Sequence, residues 1–301
     1  MDIFVGALET GRDFFRDAAL IAFHELELFE ALLSPMSLES LASTTHLEAH
    51  HLRALLDVGR SEGWVVEEAG VYSIAEVPAA PKSHPTAGWG KIAEAFRANK
   101  PQALFETPGA LEAYQNHLFD LSSPVADELV VRCVEPCERV LDVGSGYGAY
   151  GLAALHGFKK ARVTLVDEAA VLASGANVQE SYGERVERVA VRAEEMTFDP
   201  IYDTVLVANL LHLHGPDRNR AILARCACAL RPGGRLIVLD LDPAKEPTLA
   251  AYFSLNMAIY TELGRVYDVE TVSGWLREVG LEELRVERLI RAPSSYVIVG
   301  R

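Results

Sequence analysis

Basic residues are scarce in this 301-residue chain: 28 lysines and arginines stand against 43 aspartates and glutamates, a formal net charge of −15. A surface of that sign repels phosphate backbones and anionic lipid, so a nucleic-acid partner would need a local basic patch. The sequence carries none. Cysteine is scarce too. Cys133, Cys137, Cys226 and Cys228 fall as C-x-x-x-C and C-x-C. That is neither a disulfide framework nor a usual zinc spacing, and it reads as reduced, partly buried small hydrophobes with no metal. Met1-Asp2-Ile3-Phe4 lacks the basic start and apolar core of a signal peptide, and no apolar run reaches the length of a membrane span. The expected setting is therefore cytoplasmic, with no membrane partner. Internal repeats and low-complexity tracts are missing as well. What is present, a composition 50% hydrophobic, is that of a globular protein with room for two domains.

The front of the chain, residues 1–80, reads as helices followed by a hairpin. From about Asp13 to Leu33 apolar side chains recur at helical spacing over a wide surface, predicting one helix buried on most sides. Ser37 is the candidate cap of a short helix, and a further helix is predicted from about Leu47 to Ser61. Gly63 to Ile74 reads as a strand, a turn at Ala69-Gly70 and a returning strand. Helix, helix, helix, hairpin is the winged-helix order, whose obvious use is DNA binding. Here the second of the later helices sets Arg53 and Arg60 against Glu48 and Asp57, and the wing carries Glu67 and Glu68. Neither phosphate neutralisation nor arginine readout is well served. A DNA-binding regulator with a ligand-sensing back domain stays as the alternative of another class.

Residues 81–134 read as linking helices after a Pro- and Ala-rich connector, Val77 to Pro85. The predicted helices are roughly Ala87–Ala98, Gly109–Phe119 and Ser123–Val134. Trp89, Phe96, Phe105, Tyr114, His117 and Phe119 are either core filler or walls of an apolar pocket.

Residues 135–301 are organised around Val140 to Gly151. An apolar run ends in Gly144, Gly146 and Gly148, spaced so that the backbone turns sharply, bares its N–H groups and enters a helix. Strands are predicted at Val140–Val143, Arg162–Val166, Arg188–Arg192, Thr204–Ala208 and Arg235–Asp240, mostly separated by helices. That pattern implies a Rossmann-like, doubly wound parallel sheet. The last two, Glu283–Ile290 and Ser295–Gly300, are joined so closely that they must form an antiparallel hairpin. Asp167, nineteen residues beyond Gly148, suits ribose hydroxyls in either a dinucleotide or S-adenosyl-L-methionine (SAM). Asp142, a carboxylate just before the loop, favours the sulfonium cation of SAM over a pyrophosphate.

The loop Asp142 to Gly148, the acid Asp167, the run Ala229-Leu230-Arg231-Pro232-Gly233-Gly234 and the terminal hairpin together resemble the class I SAM-dependent methyltransferases. With the winged-helix front, the chain is similar to small-molecule O-methyltransferases of the caffeic acid and bacterial natural-product type. The resemblance implies a homodimer formed through the front domain and a small-molecule acceptor, which the apolar pocket candidates favour as aromatic or polyketide-like. It puts the cofactor on Asp142, Gly144, Gly146, Gly148, Asp167 and Asn209, with Glu194 and Met196 at the adenine. It also puts the catalytic histidine on His212 and its supporting acid on Asp240. Imidazole suits that task because it titrates near neutral pH. The residue after the histidine, commonly an aspartate, is Leu213; a further late acid of some plant members aligns with Val266; His214 reads as a structural or rim residue. Acceptor-pocket candidates are His117, Tyr252, Phe253, Met257 and Tyr260. Methylation of nitrogen or carbon, a non-methylating reaction and a NAD-dependent reductase are the remaining alternatives.

Overall fold

The computed structural model describes residues 2–81, 88–105 and 109–301. Its first part runs α1 (Asp2–Glu25), α2 (Leu28–Ala31), β1 (Met36–Ser37), α3 (Leu38–Thr45), α4 (Ala49–Ser61), β2 (Val65–Glu68) and β3 (Val71–Ile74). Ser37 caps α3, its Oγ accepting from the Ser40 N–H at 3.2 Å. Ala69 and Gly70 both take positive φ, 51° and 79°, as a two-residue hairpin turn requires. β1 joins them in the order β1-β3-β2, a strand too short to leave a period-two pattern. The single helix expected over 13–33 is two helices, because Glu27 turns left-handed at φ 55° and interrupts the ladder. On α4 and the wing, Arg60 pairs with Glu67 at 2.8 Å and Asp57 at 3.5 Å, so its charge is met within the domain.

A 3-10 turn at Gly88–Lys91 leads into α5 (Ile92–Ala98) and then α6 (Ala110–Cys133). The expected connector from residue 82 onward and Ala87 lie outside the described residues. The two helices expected at Gly109–Phe119 and Ser123–Val134 are one, since α6 runs through Pro124. Proline removes one N–H there. Burial of Val125, Ala126, Leu129 and Val130 just beyond it holds the helix together, and Ser123 Oγ donates to the Phe119 carbonyl at 2.7 Å.

The rest alternates: β4 (Arg139–Val143), α7 (Ala149–Gly157), β5 (Arg162–Asp167), α8 (Ala169–Ser174), α9 (Ala176–Glu180), β6 (Val186–Ala190), β7 (Tyr202–Ala208), α10 (Pro216–Ala229), β8 (Leu230–Leu241), α11 (Pro247–Tyr260), α12 (Val269–Glu278), β9 (Arg285–Glu287) and β10 (Ser295–Gly300). The seven-stranded sheet has the order β6-β5-β4-β7-β8-β10-β9. It is parallel except for β10, which is antiparallel to β8 and β9. This is the expected doubly wound sheet with an antiparallel C-terminal hairpin. β6 sits two residues earlier than predicted. β9 is shorter than Glu283–Ile290 because the Ile290 and Arg291 N–H groups leave the ladder and donate to the Glu128 carboxylate at 2.7 and 2.8 Å. All four cysteines are free, with Cys228 exposed and the others buried. No helix of the described residues is long and apolar enough to cross a membrane.

Apolar residues gather in three cores. Two lie on the faces of the large sheet, one against α6 and α7, the other against α10 and α12. The third joins α1, α4 and α5 with Leu249, Tyr252, Phe253, Leu255 and Ile259 of α11. α11 follows β8 in the chain, and its side chains pack in the front core. Inside that core His51 is buried, its ring stacked on Phe96 with centroids 4.1 Å apart and planes 5° apart. Nδ1 has no hydrogen-bond partner. Burial, with His50 alongside, pushes His51 from 6.5 down to about 4. The unfolded chain therefore takes up a proton that the fold refuses. Stability is fully present above pH 6.5 and is lost as pH falls toward about 4. His51→Phe should flatten this acid limb in urea-midpoint measurements from pH 7 to 4; an unaltered slope would place the acid sensitivity elsewhere.

Candidate active site

The parallel strands β4, β5, β7 and β8 end at one edge of the sheet, where an open α/β sheet leaves a crevice. The glycine loop lies there between β4 and α7. Gly144, Gly146 and Gly148 adopt φ of 67°, 55° and 91°, a region where any side chain is strained. At Gly146 an added Cβ would also stand 2.9 Å from Gln115 Oε1 of α6, so the helix closes over the loop. The Gly144 and Ser145 N–H groups donate to the Val166 carbonyl at 2.9 and 3.1 Å, tying the loop to β5.

Two carboxyl groups sit beneath and beside this loop. Asp142 is buried, and its Oδ2 accepts from the Gly151 N–H at 2.8 Å. Desolvation, opposed by that hydrogen bond, pushes it up to about 7. Asp167 accepts from the Gly146 N–H at 2.7 Å through Oδ2 and from the Glu168 N–H at 2.7 Å through Oδ1. Burial raises it as well. Residues 144–148 hold no lysine or arginine. A pyrophosphate would find no basic partner in this loop, whereas a nucleoside ligand with ribose hydroxyls fits the acceptors it offers.

At the end of β7, Asn209 takes φ 55° and its Nδ2 donates to the Tyr150 hydroxyl at 3.2 Å. Three residues on, His212 stands in a 3-10 turn, Leu211–Leu213. It is buried with Asp240, and His212 Nδ1 lies 2.8 Å from Asp240 Oδ1. The His212 backbone N–H donates to Asp240 Oδ2 at 3.3 Å, and the Leu241 N–H donates to Oδ1 at 2.8 Å. Phe253 of α11 presents its ring edgewise to the imidazole, centroids 5.0 Å apart. His214 lies two residues further on. Burial, with Arg218 nearby, pushes it down to about 4.

Other expected site residues lie at varying distance from this centre. Glu194 sits between Arg192 and Arg218, its Oε1 at 3.1 and 3.0 Å from their Nε atoms. Met196 is buried in the sheet core with Leu141, Val143 and Val166. Met257 is buried in the front core. Tyr252, next to Phe253, donates its hydroxyl to Glu62 Oε1 at 3.1 Å, and Arg12 and Arg16 also pair with Glu62. Tyr260 is partly buried, and its hydroxyl oxygen would lie 2.6 Å from a Cβ on Gly88. His117 is on the exposed side of α6.

Four residues at the site escaped the sequence. Gln115 covers the loop, and Asn219 and Tyr267 bond the turn that carries His212. Gly264 packs so close that a Cβ would stand 2.6 Å from the His212 carbonyl oxygen. For Asn219 there was a signal, a polar residue in the buried stripe Asn219, Ile222, Leu223, Cys226 and Ala229. The approach of Gly264 depends on a chain crossing that no local pattern encodes.

Residues 140–234 match a family described as a methyltransferase domain. The chain is 30% identical over 234 residues to 3-hydroxy-5-methyl-1-naphthoate 3-O-methyltransferase of Streptomyces sahachiroi, a match covering 71% of this chain and 66% of that one. It is 26% identical over 196 residues to L-tyrosine C(3)-methyltransferase of Streptomyces lavendulae, covering 62% and 53%. The chain thus spans just under two thirds of the first relative and about half of the second. Its fold is that of an O-methyltransferase family 2 protein from Planctomyces limnophilus solved with apigenin. That similarity has a TM-score of 0.73 and 22% identity, over 100% of this chain and 95% of the other.

Asp142 also generates a stability prediction. A carboxyl raised from 3.8 to about 7 holds its proton more tightly in the fold than in the unfolded chain. The stability it contributes is therefore present below pH 3.8 and is lost as pH rises through about 7. Asp142→Asn keeps an acceptor for the Gly151 N–H and removes the titration. It should be the more stable form at pH 8, by up to ~4 kcal/mol, with the difference vanishing near pH 4. Parallel urea titrations at the two pH values measure it; equal midpoints at pH 8 would refute the shift.

Proposed function

Because the chain belongs to the class I SAM-dependent methyltransferases, we propose that it methylates a hydroxyl of a small aromatic or polyketide-like natural product, with His212 as general base. The observation that carries this reading is the 2.8 Å approach of His212 Nδ1 to Asp240 Oδ1. Bound SAM supplies a methyl group already activated on a sulfonium. The chain has then to hold the acceptor, take its proton and exclude water. Asp240 accepts from Nδ1–H, which leaves Nε2 bare and stabilises the imidazolium once Nε2 has taken the hydroxyl proton. The backbone N–H groups of His212 and Leu241 keep Asp240 in place, and the edge of Phe253 restrains the ring. Leu213 offers no second acid, so among the described residues Asp240 is the carboxylate bonded to the imidazole.

The residues that would hold SAM are the loop glycines Gly144, Gly146 and Gly148, with Asp167 for the ribose hydroxyls and Asp142 as the buried acid beneath the loop. Glu194, Met196 and Asn209 complete the set around the adenine and the strand ends. The acceptor would lie between His212 and the helices α6 and α11, with Phe253 and Met257 as walls and His117 and Tyr260 toward the rim. The aromatic hydroxyl named for the Streptomyces sahachiroi relative supports the substrate class. Pairing of two copies through the front domain, in the cytoplasm, completes the proposal. Carbon methylation is the second reading, favoured by the similarity to a tyrosine C(3)-methyltransferase.

His212→Ala should leave SAM binding by calorimetry intact and lower turnover of phenolic acceptors such as 3-hydroxy-2-naphthoate by roughly a hundredfold or more. NMR of the product should show a methoxy singlet. A ring-methyl product would favour the second reading, and undiminished turnover would remove His212 from the mechanism.

A further inference from the structure

The turn that carries His212 is held by a side chain outside the His212–Asp240 pair. Asn219 lies in the first turn of α10 and is completely buried. A helical side chain leans back toward the helix N-terminus, and here that direction leads to the segment just before α10. Its Nδ2 donates to the Leu211 carbonyl at 2.9 Å and to the His214 carbonyl at 3.2 Å. Those two carbonyls bracket His212. Both partners are acceptors, so the amide orientation is fixed: Oδ1 in that place would face two oxygens.

The remaining supports of the turn act from other sides. Tyr267 donates its hydroxyl to the same His214 carbonyl at 2.7 Å, and Gly264 backs the His212 and Leu213 carbonyls. Asp240 takes the His212 N–H and Nδ1. Among the described residues, Asn219 is the side chain that ties the carbonyl before His212 to one after it. A three-residue 3-10 turn has poor internal hydrogen-bond geometry of its own. An external double donor is therefore what keeps its backbone, and with it the χ1 axis of His212, in register with Asp240.

We infer that Asn219 is a positioning residue for His212, holding the imidazole so that Nδ1 stays on Asp240 while Nε2 faces the acceptor. The inference rests on the reading of His212 as the base, but its structural half, the hold on the His212–Asp240 bond, can be read without any acceptor. In Asn219→Ala both donors are gone; in Asn219→Ser one short donor is left and the cavity is smaller, which guards against simple unfolding.

The first measurement is the far-downfield Nδ1–H proton resonance of His212 in the full chain, assigned by its loss in His212→Ala. Asn219→Ala should broaden it or speed its exchange with solvent at least about tenfold, and Asn219→Ser should fall between. The second is turnover of 3-hydroxy-2-naphthoate with SAM. Asn219→Ala should lower kcat by about ten- to a hundredfold with KM for SAM within about twofold, the size expected for a misplaced catalytic group. In the His212→Ala background the same substitution should cost nothing further. An unaltered resonance in both variants, or an equal loss of kcat with and without His212, would overturn the inference. If His212→Ala itself costs no turnover, the base reading fails, and the resonance still decides what Asn219 does.

Discussion

A carboxylate buried at the end of a strand is stable only where hydrogen-bond donors meet it, and the edge of this sheet is built around that requirement. Asp142 is met by the first turn of α7, Asp167 by the glycine loop and the N-terminus of α8, and Asp240 by His212 and the next backbone N–H. Each acid thereby fixes the chain segment that supplies its donors. The glycine loop is held down to β5, and the turn after β7 is held against β8. The cluster at the sheet edge thus follows from satisfying buried carboxyl groups at adjoining strand ends.

Helix α11 links this edge to the front of the molecule. Tyr252 joins the ionic cluster of Glu62, Arg12 and Arg16, while its neighbour Phe253 meets the imidazole of His212. One helix, packed in the front core, therefore supplies a ring to the centre at the sheet edge. A change at Glu62, distant in sequence from His212, has a short physical path to it.

Much of the sheet was legible because its signals are local. An apolar run, then glycines, then a helix pattern mark β4 and α7; the last strand, Ser295–Gly300, falls where its apolar run and short connection put it. Errors arose where tertiary packing overrode a local rule. A gap between Phe119 and Ser123 separates the two predicted helices, yet α6 runs unbroken across it and through Pro124, held by the buried residues beyond. Arg288 to Ile290 read as strand, yet Glu128 draws the neighbouring N–H groups away. Asp142 and Asp167 stand out in the sequence by residue type and position, His212 and Asp240 through the resemblance, and the fold sets all four at or next to strand ends. That Tyr252 meets Glu62 while Phe253 meets His212 was not legible, because which face of α11 meets which neighbour is a matter of packing.

The sequence by itself determined the order of the strands along the chain and the closing hairpin, because periodicity and turn chemistry are written within a few residues of each position. The tertiary structure alone decided what surrounds the acids and the imidazole. It brought Asn219, Tyr267 and Gly264 around the His212 turn, laid Gln115 over Gly146 and turned Tyr252 toward Glu62. Those are meetings between elements far apart in the chain, and their geometry is set by how helices lie across the sheet, which no single stretch encodes.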